Sequence, residues 1–283
     1  MIAQMTLNLT NKTNFIGKIN AHKIALDGGV VLFLGDLALG EFFSENLLFQ
    51  NERERFARDA NLAHSQKFRA SRVLKFWALN ELLGGNSNLN LAKFKGDFAK
   101  NLALSKMRDD LEKKWRKTRL HLCLSHSGTL VALAAAPFKI GFDIERIKPR
   151  NTAAVMDFCF NPHEKTRVLN AKNAVKIGKF ADLNLAENMN LNENANLNKN
   201  ANLSKNTSAN AVNLGEFYRI FTAKEALLKL CDLTFADFDK IGFTAKNKIH
   251  LATTHTNLNT KNIQAKHYKF NFQGQEFIAC CAF

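Results

Sequence analysis

Residues 184 to 214 most constrain what this chain can fold into. Twelve of those 31 residues are Asn, in a degenerate repeat with Asn at almost every second place. The stretch alternates in polarity but offers no apolar face large enough to build a core. A polar low-complexity tract of this kind cannot offset the entropy of ordering itself. The sequence therefore predicts a mobile insertion at about 183–214, and any core must be drawn from the residues on either side. The chain has 283 residues, 46% of them apolar and 24 of them Phe, which suffices for one large or two small domains.

The remaining segments alternate between strand and helix patterns. "HKIALDGGVVLFLGDL" predicts two short strands around Gly28-Gly29. From Ser44 to Leu83 the composition is charged, rich in Ala and Leu, and free of Pro and Gly, which predicts helix ended by Gly84-Gly85. Residues 86 to 119 are polar and basic and close with "KKWRKTR". "LHLCLSHSGTLVALAAA" predicts strand, turn at Ser127-Gly128, and strand. "YKFNFQGQEFIACCAF" predicts a hairpin around Gln273-Gly274.

Charge narrows the partners. Lys and Arg outnumber Asp and Glu by 40 to 25, a net +15 that favours an anionic partner such as nucleic acid, a phosphorylated cofactor, an acidic protein or a membrane surface. The five cysteines, at 123, 159, 231, 280 and 281, include no Cys-x-x-Cys pair. They form neither a disulfide framework nor a zinc pattern, and reduced thiols packed as small hydrophobes are expected. The N-terminal stretch lacks the basic-then-apolar pattern of a signal peptide. The apolar run near "VVLFLGDLAL" is broken by Gly35 and Asp36 and is too short to span a bilayer. A soluble, cytoplasmic monomer without a membrane partner is expected.

"KIGFDIERIKP", Lys139 to Pro149, carries the first chemical signal. In a strand, residues i and i+2 share a face, so Ile140, Phe142 and Ile144 point one way and Asp143 and Glu145 the other. Two carboxylates roughly 7 Å apart along the strand repel unless positive charge sits between them. A divalent cation or a neighbouring Lys or Arg would serve.

Two helices carry the rest. Asn161 suits the cap of a helix running to about Phe180, with Pro162 at its first position and Glu164 in its first turn. In "EFYRIFTAKEALLKLC", Phe217, Ile220, Phe221, Leu227, Leu228 and Cys231 form an apolar stripe, with Lys224 inside it. Glu225 and Lys229, four residues apart, flank that stripe. Alone they read as a surface pair, and Lys224 as a snorkelling side chain.

Taken in order, "ASRVLKFWAL", "LSHSGTLVALA", "IGFDIERIKP", "NPHE" and "FYRIFTAKEALLK" resemble the 4'-phosphopantetheinyl transferases of the type that activate surfactin synthetase. The matches span residues 70 to 230. Phe221 stands where that family usually has Trp, the Gly-Lys-Pro common before the Ser-His motif is missing, and the Asn-rich stretch replaces a shorter connection.

The resemblance implies an α+β fold of two similar halves related by a pseudo-twofold, each an antiparallel sheet with packed helices. The expected halves are 1–138 and 139–283. It implies an enzyme that moves phosphopantetheine from coenzyme A to a serine of an apo acyl or peptidyl carrier protein, releasing 3',5'-adenosine bisphosphate. Asp143, Glu145 and Glu225 would bind Mg²⁺, which takes hard oxygen ligands. Glu164 matches the general base, with His163 a second candidate, and Lys229 would hold the charge that shifts to the leaving group. Ser125 and His126 match contacts to the 3'-phosphate side of coenzyme A. Lys224, Arg72, Lys75 and Lys148 are further phosphate candidates. Other readings are a basic nucleic-acid-binding protein, against which the lack of any recognised nucleic-acid motif argues, and an inactive relative that only binds carrier proteins.

Overall fold

The computed structural model describes residues 21–59, 61–84, 98–169, 181–183, 212–244, 248–251 and 263–283. The chain divides into two compact units, Met1–Ile144 with Cys281–Phe283, and Glu145–Cys280. The Asn-rich residues 184–211 lie outside the described residues, as does the expected continuation of the Asn161 helix beyond Leu169.

Unit 1 holds a four-stranded antiparallel sheet. Strands β1 (Ala21–Ala25) and β2 (Val31–Asp36) form the hairpin predicted around Gly28-Gly29, and both glycines take positive φ, 75° and 81°. Strands β3 (His121–Ser127) and β4 (Leu130–Ala136) form the second, turning at Gly128. The sheet order is β1-β2-β4-β3, with Phe33 opposite Leu133 and Ser125 opposite Ala132.

Among the described residues, four α-helices accompany this sheet: α1 (Gln50–Arg58), α2 (Asn61–His64), α3 (Gln66–Leu82) and α4 (Phe98–Arg116). The Ser65 hydroxyl caps α3 by accepting from Phe68 N at 3.2 Å. Helix α3 packs on β2 and β4 and is buried from Val73 to Asn80. Trp77 meets Phe33 edge-on at 5.2 Å, and Val73, Leu74 and Phe76 complete that core. Burial of each such side chain contributes roughly 1.5–3 kcal/mol.

Strand β5 (Gly141–Arg146) and strand β10 (Gln275–Ala282) contain the division between the units. Unit 2 adds α5 (Thr152–Cys159), α6 (Pro162–Leu169), β6 (Ala181–Leu183), α7 (Leu214–Leu230), β7 (Ile241–Phe243), β8 (Ile249–Leu251) and β9 (Ala265–Phe272). Its larger sheet runs β5-β10-β9-β6, with β6 parallel to β9. The β9–β10 turn forms at Gln273 and Gly274, as their turn chemistry predicts, with φ of 50° and 71°. Helix α7 buries an aromatic row, in which Phe217 packs on Phe160 at 5.4 Å and Phe221 stacks on Phe238 at 5.9 Å.

The fold class is α+β, helix with mainly antiparallel sheet. None of the five cysteines forms a disulfide. No helix among the described residues is long and apolar enough to cross a membrane.

Candidate functional site

In unit 1 the Ser-His strand and the Asp-x-Glu strand meet through side chains. Phe142 and Ile144 of β5 are fully buried, and the alternation of the strand puts Asp143 on its other face. The Ser125 hydroxyl donates to Asp143 Oδ1 at 2.7 Å. Two residues earlier on the same face of β3, the Cys123 sulfur accepts from Phe142 N at 3.2 Å. Ser125 and Asp143 are both buried, whereas His126, on the opposite face of β3, is exposed. The hydroxyl donor at 2.7 Å fixes the rotamer of Asp143.

Arg72 and Lys75, proposed from sequence as phosphate contacts, are both committed to Glu52. Arg72 Nη1 and Lys75 Nζ each lie 2.7 Å from Glu52 Oε1. Glu52 Oε2 also accepts from Phe49 N at 3.2 Å at the start of α1. Lys75 sits over the Phe49 and Trp115 rings at 4.5 and 4.6 Å. Burial lowers the Lys75 pKa from its ordinary value, and Glu52 opposes that shift by charge and hydrogen bond. Such a buried carboxylate with two cations ties α3 to α1. Sequence reasoning missed Glu52, although Phe49-x-x-Glu at a helix start is the spacing of a reaching-back cap residue.

The basic run "KKWRKTR" ends α4. Its Arg116 pairs with Glu112 at 2.8 Å. Together with Trp115, Gln50, Asn51 and Glu54 these residues line an open cleft of about 380 Å³. Two carboxylates in the lining disfavour a phosphate there.

In unit 2 the Asn-Pro-His-Glu turn and the Lys-Glu helix meet. Asn161 and Glu164 form a reciprocal cap: Glu164 N donates to Asn161 Oδ1 at 2.9 Å, and Asn161 N donates to Glu164 Oε2 at 2.8 Å. Glu164 Oε1 accepts from Phe243 N on β7 at 2.8 Å. Lys224 Nζ reaches Glu164 Oε2 at 3.1 Å and also donates to the Cys159 carbonyl. The Lys224 and Glu164 side chains are 1% and 0% exposed, respectively. Burial pushes the Lys224 pKa down, and the Glu164 charge and hydrogen bond push it back up. Gly242 makes room for this cluster, since a Cβ there would stand 2.7 Å from Asn161 Nδ2 and 3.2 Å from Glu164 Oε1.

The other predicted site residues of unit 2 lie nearer the surface. Glu145 on β5, and Glu225 and Lys229 on α7, are half-buried. Lys148 is exposed, and its carbonyl accepts from the Tyr218 hydroxyl at 2.8 Å, which pins the segment after β5 to α7. His163 is exposed in the first turn of α6.

Among the described residues, no group of three or more His, Cys, Asp or Glu is gathered so as to hold a metal ion. Magnesium asks for less, because it is usually bound through one or two carboxylates and completes its shell with water and substrate phosphate oxygens. Asp143 and Glu145, on one face of β5, supply that donor chemistry. No family model matches the chain, and no curated protein matches it.

Proposed function

We propose that the chain is a Mg²⁺-dependent 4'-phosphopantetheinyl transferase acting on coenzyme A and an apo carrier protein. The observation that carries the reading is the 2.7 Å bond from Ser125 to Asp143. It joins two motifs, 18 residues apart, that the resemblance assigns to one site. In unit 2 the Glu164–Lys224 pair joins two more, 60 residues apart. Support for two similar halves comes from matching parts: one 17-residue helix, α3, packs on a four-stranded sheet, and another, α7, packs on β9 of the second four-stranded sheet.

The reaction breaks a pyrophosphate P–O bond and forms a new one to serine. Such a transfer needs positioning and charge neutralisation more than covalent help. Asp143, Glu145 and Glu225 would hold the metal, which when bound offsets the charge of the pyrophosphate oxygens. Ser125 positions Asp143 by fixing its rotamer. Lys229, half-buried one turn beyond Glu225, would hold the charge that develops on the departing adenosine bisphosphate. His126, exposed beside Ser125, would meet the 3'-phosphate side of coenzyme A. Glu164 holds Lys224 and the start of α6. Its oxygens accept from Asn161 N, Lys224 and Phe243 N in a side chain 0% exposed, so this cluster must open before Glu164 could accept the serine proton, as the resemblance implies.

Isothermal titration tests the reading without needing the acceptor. Coenzyme A is expected to bind, more tightly with Mg²⁺ than with chelator, and Asp143→Ala is expected to remove the Mg²⁺ dependence. Tight binding of a random oligonucleotide with no binding of coenzyme A would replace this reading by the nucleic-acid one.

A further inference from the structure

Four of the five cysteines are buried, as small hydrophobes are. Cys123 is half-buried and has polar work to do. Its sulfur accepts from Phe142 N at 3.2 Å and lies 3.6 Å from Phe142 O, within reach of a weak S–H donor. One side chain of β3 thus engages both backbone polar groups of one residue on β5. The topology explains why those groups are open to a side chain. Among the described residues, β5 stands at the end of its sheet, with β10 as its strand neighbour. Ile147 N, just past β5, donates to Glu276 O of β10 at 2.8 Å. Backbone groups alternate sides along a strand, so Phe142, an odd number of residues away, turns its N–H and C=O to the other edge. An edge presents donors and acceptors that no ladder covers, and the Cys123 thiol meets one of each.

The residue held in this way is the one before Asp143. Ser125, two places along the same face of β3, donates to Asp143 Oδ1 at 2.7 Å. The two contacts act on different freedoms. The hydroxyl fixes the carboxylate relative to its own backbone, and the thiol fixes that backbone relative to β3. Magnesium demands near-ideal octahedral geometry, so a carboxylate that drifts with its strand binds it less well. We propose that Cys123 is a positioning residue: it holds β5 at Phe142 against β3 and so sets where the Asp143 carboxylate stands. This rests on the transferase reading and adds to it a residue outside the set that the resemblance assigns.

The experiment compares the wild-type chain, Cys123→Ala and Cys123→Ser. Coenzyme A binding is read by titration calorimetry in chelator and across a series of Mg²⁺ concentrations. Stability of unit 1 is read by tryptophan-detected urea unfolding, since Trp77 and Trp115 both lie there. Cys123→Ala is expected to raise about fivefold the Mg²⁺ concentration that gives half of the Mg²⁺-dependent gain in affinity, the loss expected of one ordinary hydrogen bond. Its affinity in chelator is expected to stay that of the wild type. Cys123→Ser keeps a donor and an acceptor on the same carbon and is expected to fall between the other two. An unchanged Mg²⁺ requirement in Cys123→Ala overturns the proposal whatever the unfolding midpoint does, because the thiol then serves stability alone. An equal loss of affinity with and without Mg²⁺ overturns it too, since the effect then bypasses Asp143. So does a Cys123→Ser chain no better than Cys123→Ala, which would assign the role to the volume of the sulfur rather than its bonds. If the wild-type chain binds no coenzyme A, or binds it without regard to Mg²⁺, the transferase reading fails, and the Cys123 proposal falls with it for that separate reason.

Discussion

Replacing Glu164 by Gln keeps the shape of the side chain and removes its charge. Lys224 would then stand in the interior, its side chain 1% exposed, with the Cys159 carbonyl as its hydrogen-bond partner and only the weaker charge of Asp239 to offset its own. Breaking a buried pair by removing one partner costs about 3–5 kcal/mol. Lys224 can escape part of that by losing its proton, which bounds the loss. Holding a lysine of unfolded pKa about 10.4 neutral at pH 7 costs roughly 4–5 kcal/mol at about 1.4 kcal/mol per unit. That escape sets the sign of a pH dependence. With the folded pKa of Lys224 depressed, the unfolded chain binds more protons between the two values, so stability rises with pH in that window. Both tyrosines, Tyr218 and Tyr268, belong to unit 2, and their near-ultraviolet signal in a urea titration reports its unfolding. Glu164→Gln is expected to lose about 3–5 kcal/mol at pH 7 and markedly less at pH 9. Adding Lys224→Met should restore at least about 2 kcal/mol, because paired residues couple. A loss under about 1 kcal/mol, or one equal at both pH values, would refute the reasoning.

Three further outcomes follow from other contacts. His267 is half-buried beside Arg219, its Nε2 2.9 Å from the Arg219 carbonyl, and desolvation followed by the Arg219 charge pulls its pKa from 6.5 to about 4. Between those values only the unfolded chain binds the proton, so stability should drop as pH falls from 6.5 toward 4, by up to about 3 kcal/mol. His267→Gln should flatten the profile measured at pH 5 to 6.5. Glu52→Gln leaves Arg72 and Lys75 without their shared carboxylate. It should cost about 3 kcal/mol in tryptophan-detected unfolding, which reports unit 1 because Trp77 and Trp115 both lie there; an unchanged midpoint would refute the structural role of Glu52. Gly242→Ala forces a Cβ to within 2.7 Å of the Asn161 amide. A loss of about 1–3 kcal/mol is expected, and a neutral result in the same titration would show that the cap can shift.

Local chemistry made much of this structure legible in the sequence, and long-range pairing hid the rest. The turns at Gly28-Gly29, Gly128 and Gln273-Gly274 each announce themselves by residues that accept positive φ. The Asn161–Glu164 cap is read from four consecutive residues. Helix α4 was harder, because residues 86 to 119 read only as polar and basic. Its apolar stripe is one side chain wide, formed by Leu104, Met107, Leu111 and Trp115 at spacings of three and four. The block from Ser44 to Leu83 reads as continuous helix, but Asp59 and Ser65 divide it, since both side chains accept backbone N–H groups at helix starts. Charge pairing is the least legible layer. Nothing local tells that Lys75 will seek Glu52, 23 residues away, or that Arg150 will lie on the rings of a helix that begins after the Asn-rich stretch.

The central claim is tested most directly by the mass of the acceptor. The purified chain is incubated with coenzyme A, Mg²⁺ and a panel of apo acyl and peptidyl carrier proteins. The account predicts that at least one carrier gains the mass of a single phosphopantetheinyl group on a serine. It also predicts an equal yield of 3',5'-adenosine bisphosphate, and no product with Asp143→Ala at any Mg²⁺ concentration. Carriers that stay at their apo mass across the panel, while a known transferase modifies them in parallel, would contradict it.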